Sequence, residues 1–191
     1  MKLKRICVYC GSSSGNNPQY RETTRQTGHA LARRGIELVY GGGCVGLMGT
    51  IADAVLEARG HVIGIIPESL LAKEVGHRGL QDLRVVATMH ERKTLMYELS
   101  DAFVALPGGF GTLEEFCEIL TWAQLGLHWR PFGLLNIAGF YDPLLNFFDH
   151  AVAEGFVKSV HRSLIVADSD PDRLFDALGS IEIPKLDKWI R

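Results

Sequence analysis

The sequence lacks a strong excess of charge of either sign, since its 20 lysine and arginine residues nearly balance its 22 aspartate and glutamate residues. A net formal charge of -2 leaves no global basic field that would hold a polyphosphate backbone or an anionic membrane. We therefore expect neither nucleic acid nor membrane among the partners of this protein.

Long hydrophobic runs are also missing. No apolar stretch approaches the roughly 20 residues that span a bilayer. The apolar residues that follow the basic segment Met1–Arg5 extend only from Ile6 to Cys10, which is too short for a secretory signal. These absences predict a cytoplasmic protein.

The sequence has few metal-binding patterns. Only four cysteines are present, and the CxxC spacing of Cys7 and Cys10 falls inside a strand-like run, where neighbouring side chains point to opposite faces. No second cysteine pair completes a zinc site, and none of the seven histidines has HExxH spacing. We interpret the cysteines as free thiols and predict no metal and no cofactor.

Short runs rich in Val, Ile and Leu alternate with longer stretches of helical periodicity, a pattern typical of βαβ units. It predicts an α/β fold with one Rossmann-like, doubly wound and mainly parallel sheet and helices on both faces. The length of 191 residues and the absence of a linker favour a single domain over residues 1–191, with a peripheral tail from Ile183. The predicted strands are Arg5–Cys10, Ile36–Tyr40, His61–Ile66, Leu83–Ala87, Asp101–Leu106, Phe132–Ile137 and Leu164–Val166. The predicted helices are Pro18–Arg34, Gly46–Arg59, Met89–Leu99, Thr112–Leu125, Asp142–Glu154 and Pro171–Leu178, and Glu68–Asp82 is expected to be irregular.

Three glycine-rich loops each follow a predicted strand and precede a helix, so their backbone N–H groups converge on one edge of the sheet. None is a standard dinucleotide fingerprint, because GxGxxG is absent after the first strand and GxxxxGK[ST] appears nowhere, so one phosphate group fits better than NAD binding or ATP hydrolysis. The alternative is that these glycines merely end strands and relieve crowding. The candidate phosphate ligands in the loops are Gly11, Ser12, Gly41, Gly42, Gly43, Pro107 and Gly108.

The third loop continues into Thr112-Leu-Glu-Glu115, which allows two interpretations. It has the [ST]xx[DE] pattern of a capping box, in which both polar side chains would only close the helix end. Alternatively, Glu115 faces the sugar of a bound nucleotide. Arg92 and Lys93, at the start of another helix, are either anion ligands or a solvated charged face, and Glu74 in the irregular stretch is a further candidate.

Taken together, these motifs resemble a known family. PGGFGTLEE matches a PGGxGTxxE signature and, with GGGCVGLMG and MHERK, is similar to the LONELY GUY (LOG) family of cytokinin-activating phosphoribohydrolases. The resemblance covers nearly the whole chain. It implies hydrolysis of the N-glycosidic bond of AMP, or of N6-prenylated AMP, to the free base and ribose 5-phosphate.

The resemblance also implies site residues. Arg92 and Glu115 match the catalytic pair, with Lys93 beside the arginine. The substrate-binding positions that it implies are Glu74, Arg92, Lys93, Gly109, Phe110, Gly111, Thr112, Leu113, Glu114, Glu115 and Thr121. The family works without a metal or organic cofactor, as a homodimer whose subunits complete each other's sites.

A carboxylate near C1′ stabilises the oxocarbenium character that develops when an N-glycosidic bond breaks, which is the role we predict for Glu115. Arg92 either stabilises the leaving base or anchors the phosphate. Apolar side chains at Trp122, Leu125 and Trp129 favour an oligomer interface, with ordinary core packing as the alternative.

Two other functions compete with this prediction. Related proteins have been labelled lysine decarboxylases, but no Schiff-base lysine with a pyridinium partner is evident. A non-catalytic nucleotide-binding or cofactor-binding carrier with the same glycine loops is the stronger rival, and recovery of an unhydrolysed nucleotide would support it.

Overall fold

A computed structural model describes residues 2–74 and 76–181, without the side chains of residues 72–74. The predicted peripheral tail lies outside the described residues. The strands are β1 (Arg5–Tyr9), β2 (Glu37–Tyr40), β3 (Val62–Pro67), β4 (Asp82–Val86), β5 (Ala102–Ala105), β6 (Phe132–Leu135) and β7 (Ile165–Asp168). The helices are α1 (Pro18–Arg33), α2 (Gly46–Glu57), α3 (Glu68–Glu74), α4 (Met89–Leu99), α5 (Phe110–Gln124), α6 (Asp142–Ala153), α7 (Ser159–Arg162) and α8 (Pro171–Ser180), with a 3₁₀ helix over Ile137–Gly139.

All seven strands pair in parallel in the order β4-β3-β2-β1-β5-β6-β7. The chain winds outwards from β1 to β4, then crosses back and winds outwards again from β5 to β7. This confirms the predicted doubly wound, Rossmann-like α/β fold. The strands are apolar runs because helices cover both faces of a parallel sheet.

The alternation of side chains along β1 builds two cores. Ile6 and Val8 belong to the cluster that also contains residues of α1, α2 and α8. Cys7 and Tyr9 belong to the cluster on the other face, with residues of α4 and α5. All four cysteines are free thiols, as predicted, and Cys7 and Cys10 are buried in different clusters.

Two expectations about local structure were wrong. The stretch Glu68–Asp82, expected to be irregular, begins with α3, a helix of seven residues that is too short to show a periodic pattern. Its remainder is tied to the loop after β2, because Gly76 bridges to Gly43 and the His77 N–H donates to the Gly42 carbonyl. The helix expected from Thr112 begins two residues earlier, at Phe110, and this shift changes the interpretation of the site.

Candidate functional site

The direction of winding reverses between β1 and β5, which are neighbours in the centre of the sheet. Ligands of open parallel sheets bind at such a switch point, beyond the carboxyl ends of the strands. The two loops that meet there are linked, since the Gly11 N–H donates to the Pro107 carbonyl over 3.0 Å. This edge of the sheet is therefore the expected binding site.

The N-terminus of α5 opens onto this edge. Phe110, Gly111 and Thr112 are the first residues of the helix, so their N–H groups have no intrahelical acceptor. Gly109 occupies the N-cap position and supplies no side-chain acceptor. A Cβ built on Gly109 or Gly111 meets nothing within 4 Å, so packing does not require glycine at either position. The arrangement leaves room and N–H donors for an anion.

The capping-box interpretation is wrong. Because α5 begins at Phe110, Thr112 lies inside the helix and not at its N-cap. The side chain that does cap a helix in this way is Thr88, at the start of α4, whose hydroxyl accepts from the Glu91 N–H over 3.1 Å. The carboxylate of Glu91 in turn accepts from the Ala87 N–H. Glu115 thus has no capping role that would explain its presence.

A cavity of about 260 Å³ lies between α4 and α5. Arg92 and Glu115 form part of its wall, and the N-terminal turn of α5 forms another part. Its lining residues are Cys10, Gly11, Ser12, Met48, Met89, Arg92, Gly109, Phe110, Gly111, Thr112, Glu114 and Glu115. The structure therefore brings together the predicted catalytic pair and most of the predicted binding loop.

Arg92 and Glu115 are both buried, at 8% and 9% exposure, and face each other across 3.9 Å between Nη1 and Oε1. That distance is an ion pair without a hydrogen bond. Arg92 Nη2 donates to the Gly41 carbonyl over a long 3.4 Å, and its Nε has no hydrogen-bond partner among the described residues. The guanidinium thus keeps donors for a ligand in the cavity.

Burial raises the pKa of Glu115 from 4.5 to about 7. The Arg92 charge opposes this shift, and the neighbouring Glu114 carboxylate adds to it. A pKa near neutral suits a group that takes up a proton during turnover, since general bases work best near the operating pH. The geometry and the pKa together fit a carboxylate that activates water or faces a developing positive charge.

Lys93, like Arg92, faces α5, but it contacts different glutamates. Its ammonium contacts the carboxylates of Glu114 and Glu118 over 2.6 and 2.9 Å. Burial alone would lower the pKa of Lys93, but its hydrogen bonds with both glutamates raise it overall. Lys93 does not line the cavity described above, and its predicted substrate contact stays a prediction.

The other predicted residues lie around the site. Gly41, Gly42 and Gly43 do not line the cavity. The carbonyl of Gly41 accepts the hydrogen bond from Arg92, which does line it. Glu74 ends α3, but its side chain lies outside the described structure. Leu113 packs against the core, and Thr121 is exposed on α5 with its hydroxyl on the Cys117 carbonyl.

Sequence reasoning missed several cavity residues. Met48 and Met89 line it at the first turns of α2 and α4, and Cys10 at the end of β1. A second cavity of about 260 Å³ shares Gly11, Ser12, Pro107, Gly108 and Gly109 with the predicted loops and adds Tyr20, Leu47 and Phe140. Met48 and Met89 lie inside the GGGCVGLMG and MHERK motifs, and this was the signal in the sequence that could have pointed to them.

Among the described residues, no group of three or more His, Cys, Asp or Glu side chains is arranged to hold a metal ion. None of the described helices is long and apolar enough to span a bilayer. The fold and the site define a Rossmann-like α/β protein with an open helix N-terminus and a buried Arg–Glu pair at its switch point.

Comparison with known proteins agrees with this definition. Residues 48–178 match the family model described as "Possible lysine decarboxylase". The cytokinin riboside 5'-monophosphate phosphoribohydrolase LOG2 of Arabidopsis thaliana is 50% identical over 189 residues, which cover 99% of this chain and 88% of that one. The probable phosphoribohydrolase LOGL9 of Oryza sativa subsp. japonica is 52% identical over 93% of this chain and 78% of its own length. The chain belongs to the LOG family.

Solved structures show the same fold at lower identity. The molybdenum cofactor binding protein of Rippkaea orientalis has a TM-score of 0.70 and 23% identity, covering 94% of this chain and 98% of that one. The molybdenum cofactor carrier protein of Chlamydomonas reinhardtii has a TM-score of 0.70 and 20% identity, covering 92% and 96%. At this identity the likeness concerns the fold alone.

Proposed function

We propose that this protein is a phosphoribohydrolase that cleaves the N-glycosidic bond of AMP or of N6-modified AMP, giving the free base and ribose 5-phosphate. The observation that carries the proposal is the buried Arg92–Glu115 pair beside the open N-terminus of α5. Its relatives at 50% and 52% identity are named as phosphoribohydrolases of cytokinin riboside 5'-monophosphates. The lysine decarboxylase description of the family model is supported by neither observation.

In this proposal the phosphate lies on the N–H groups of the first turn of α5, where the helix dipole favours negative charge. Glu115 lies one turn further along the helix. Repulsion between like charges directs its carboxylate towards the ribose and away from the phosphate. The Arg92 guanidinium supplies a fixed positive charge on the same side of the substrate.

The reaction breaks the bond between C1′ and the base nitrogen, and the bonding electrons leave with the base. Positive charge develops on the ribose, which the Glu115 carboxylate stabilises. Water then adds at C1′, and its proton passes to the carboxylate and on to the base. A pKa of about 7 leaves Glu115 able to accept and return that proton near neutral pH.

Replacement of the carboxylate tests the proposal. Glu115→Gln keeps the shape of the side chain and removes the base, so we expect release of free base from AMP and from isopentenyladenosine monophosphate to fall about a thousandfold. Chromatography of the free base measures the rate, and Glu98→Gln, an exposed glutamate on α4 outside the cavity, is the matched control.

Equal base release by wild type and Glu115→Gln would contradict the catalytic role of this carboxylate. Binding of nucleotide without release of base by either protein would favour a non-catalytic carrier. The molybdenum cofactor proteins, at 20% to 23% identity, have the same fold as this chain. This likeness supports a carrier only at the level of the fold and not in the molecule that is carried.

We also propose a homodimer with shared sites. Of the predicted interface residues, Trp122 packs against the core, whereas Leu125 and Trp129 are exposed at 37% and 49%. With Leu127, exposed at 63%, they lie at and just beyond the C-terminal end of α5. Thr121 is six residues beyond Glu115, which places it about 9 Å along the helix and about 120° around it. In this proposal, Thr121 contacts substrate that is bound to a second subunit. Light scattering after size-exclusion chromatography should give twice the monomer mass. The substitution Leu127→Ser should lower the measured mass towards that of the monomer.

We propose a cytoplasmic location with no nucleic-acid or membrane partner. The free state of all four thiols supports a reducing compartment, and the net charge of -2 supports the absence of polyanionic partners. Fractionation of cells that express the protein measures the location, and recovery in the membrane or secreted fraction would contradict it.

A further inference from the structure

Two cations stand side by side at the start of α4, and they differ in how many of their donors are already used. Arg92 has long hydrogen bonds to the Gly41 carbonyl at 3.4 Å and to Met89 Sδ at 3.8 Å, an unpartnered Nε and a carboxylate 3.9 Å away. Lys93 has two short contacts to carboxylates, at 2.6 and 2.9 Å, and its side chain is 15% exposed. The Lys93 ammonium is therefore held by two short contacts, whereas the contacts of the Arg92 guanidinium are all long.

The partners of Lys93 lie on one face of α5. Glu114 and Glu118 are four residues apart, so their side chains are neighbours on the helix surface. One ammonium between two carboxylates leaves this group with a net charge of -1. If Lys93 turned to a phosphate in the cavity, it would leave two carboxylates unpaired beside a further anion, which Coulomb repulsion disfavours.

The contact between Lys93 and its glutamates lies next to the Arg92–Glu115 pair in the sequence of both helices. Lys93 follows Arg92 on α4, and Glu114 precedes Glu115 on α5. The Lys93 contact thus joins α4 and α5 one residue away from the two side chains whose separation defines the site. The far end of the same helix pair is held by the edge-to-face contact of Tyr97 with Trp122, at 5.3 Å between ring centroids.

From this arrangement we infer that Lys93 and Glu118 are positioning residues: their ion pair holds α4 against α5 and fixes Arg92 relative to Glu115. The inference rests on the proposed hydrolase function. It assigns Glu118, which does not line the cavity, a part in turnover. It also assigns Lys93 to the helix pair and not to the substrate phosphate.

Glu118→Gln separates this role from direct substrate binding, because the substitution keeps the size of the side chain and removes its charge. If Lys93 only positions, Glu118→Gln should lower kcat about threefold and Lys93→Met about tenfold, since small displacements of catalytic groups are costly. KM for AMP should stay within about twofold of wild type in both variants, because neither removes a substrate contact.

The double variant adds a second readout. Once Lys93 is replaced by Met, the charge of Glu118 has no partner, so the kcat of Lys93→Met with Glu118→Gln should equal that of Lys93→Met alone. Lys93→Arg, which can bridge both carboxylates, should restore most of the wild-type kcat.

Assays at about pH 9, well above the pKa of about 7 of Glu115, keep that carboxylate ionised in every variant. A lower kcat then reports position and not protonation. Asp149→Asn is the control: it removes the 2.8 Å ion pair to Arg162 that joins α6 and α7, and it should leave kcat unchanged.

Three results would overturn the inference. An unchanged kcat in Glu118→Gln would show that its contact with Lys93 has no part in turnover. A raised KM in Lys93→Met with unchanged kcat would show that Lys93 binds substrate. A failure of the wild-type protein to release base from AMP would overturn the proposed function and this inference together, whereas the first two results leave the proposed function intact.

Discussion

Two glycine-rich loops with nearly the same sequence pattern flank the centre of the sheet, and the structure uses them differently. In the loop before α2, the N–H groups of Leu47 and Met48 donate to the Gly11 carbonyl over 3.0 and 3.3 Å. A Cβ on Gly46 would lie 2.3 Å from the Ser12 carbonyl carbon. The helix N-terminus of α2 is therefore filled by the protein itself.

The loop before α5 is open in the same places. A Cβ on Gly109 or Gly111 meets no atom within 4 Å, and no side chain caps the helix. Packing requires glycine at Gly46 in the first loop and at Gly108 in the second, where a Cβ would lie 2.1 Å from Thr112 Oγ1, whereas Gly109 and Gly111 leave room for the ligand proposed above. A glycine pattern therefore predicts that another group comes close to the backbone, but it does not tell whether that group belongs to a neighbouring loop or to a substrate.

The largest expected effect is on stability, from Gly46→Ala. Gly46 has a φ of +61° and its added Cβ would overlap the Ser12 backbone. Left-handed strain and overpacking together should cost about 4 kcal/mol in the free energy of unfolding. Urea titration measures the loss, and a change below about 1 kcal/mol would show that this loop is not packed as described.

A second effect on stability is expected from the carboxylate of Glu115, which lies behind the open N-terminus of α5. Burial raises the pKa of Glu115 from 4.5 to about 7. As the pH rises between these values, the unfolded carboxyl ionises before the folded one, so wild-type stability falls through that window and stays lower above it. Glu115→Gln should therefore be more stable than wild type at pH 8, by at most about 3 kcal/mol, and no more stable at pH 4.

Thermal or urea unfolding at both pH values checks the expectation. The same stability difference at pH 4 and pH 8 would contradict a raised pKa for Glu115. Loss of activity combined with gain of stability is the signature of a buried group kept for function.

Gly111→Ala sharpens the comparison because its two effects have opposite signs. Alanine in the first turn of α5 has free space and should stabilise the helix by about 0.5–1 kcal/mol. The same methyl group reaches into the space proposed for the phosphate, so kcat/KM for AMP should fall about tenfold, or about 1.4 kcal/mol. Unchanged kcat/KM would mean that the open loop is not the phosphate site.

The smallest effect on stability is expected at the N-terminus of α4, which is capped by the side chain of Thr88. The Thr88 hydroxyl accepts from the Glu91 N–H, so Thr88→Ala should destabilise the protein by about 1 kcal/mol. Gly109, at the N-cap of α5, has no such side chain to lose. Urea titration measures the change, and a Thr88→Ala protein as stable as wild type would remove this contrast between the two helices.

The fold was largely predictable from the sequence, because parallel strands are continuous apolar runs and their helices have a clear apolar face. The prediction was less reliable where two local patterns fit the same residues. Thr112-Leu-Glu-Glu115 satisfies the capping-box pattern, yet the helix starts at Phe110, since Gly109 already provides the extended N-cap backbone. The residue at which the helix begins, which only the structure gives, decides whether Thr112 and Glu115 form a cap.

Within the site, Arg92 and Glu115 were predicted from motifs that matched a known family, and their pairing across 3.9 Å became visible only in the structure. Met48 and Met89 were not predicted as lining residues, although they lie within the GGGCVGLMG and MHERK motifs. The contact of Lys93 with Glu118 was not predicted either, since it depends on how two helices distant in sequence approach each other.

Phosphate recognition at the N-terminus of α5 is tested most directly by comparing a nucleotide with its nucleoside. Wild-type protein is incubated with isopentenyladenosine 5′-monophosphate and, separately, with isopentenyladenosine, and both the free base and ribose 5-phosphate are quantified by chromatography. If the open turn of α5 binds the phosphate, we expect rapid release of base with an equal amount of ribose 5-phosphate from the monophosphate, and almost none from the nucleoside. Equal cleavage of both substrates, or of neither, would contradict this expectation.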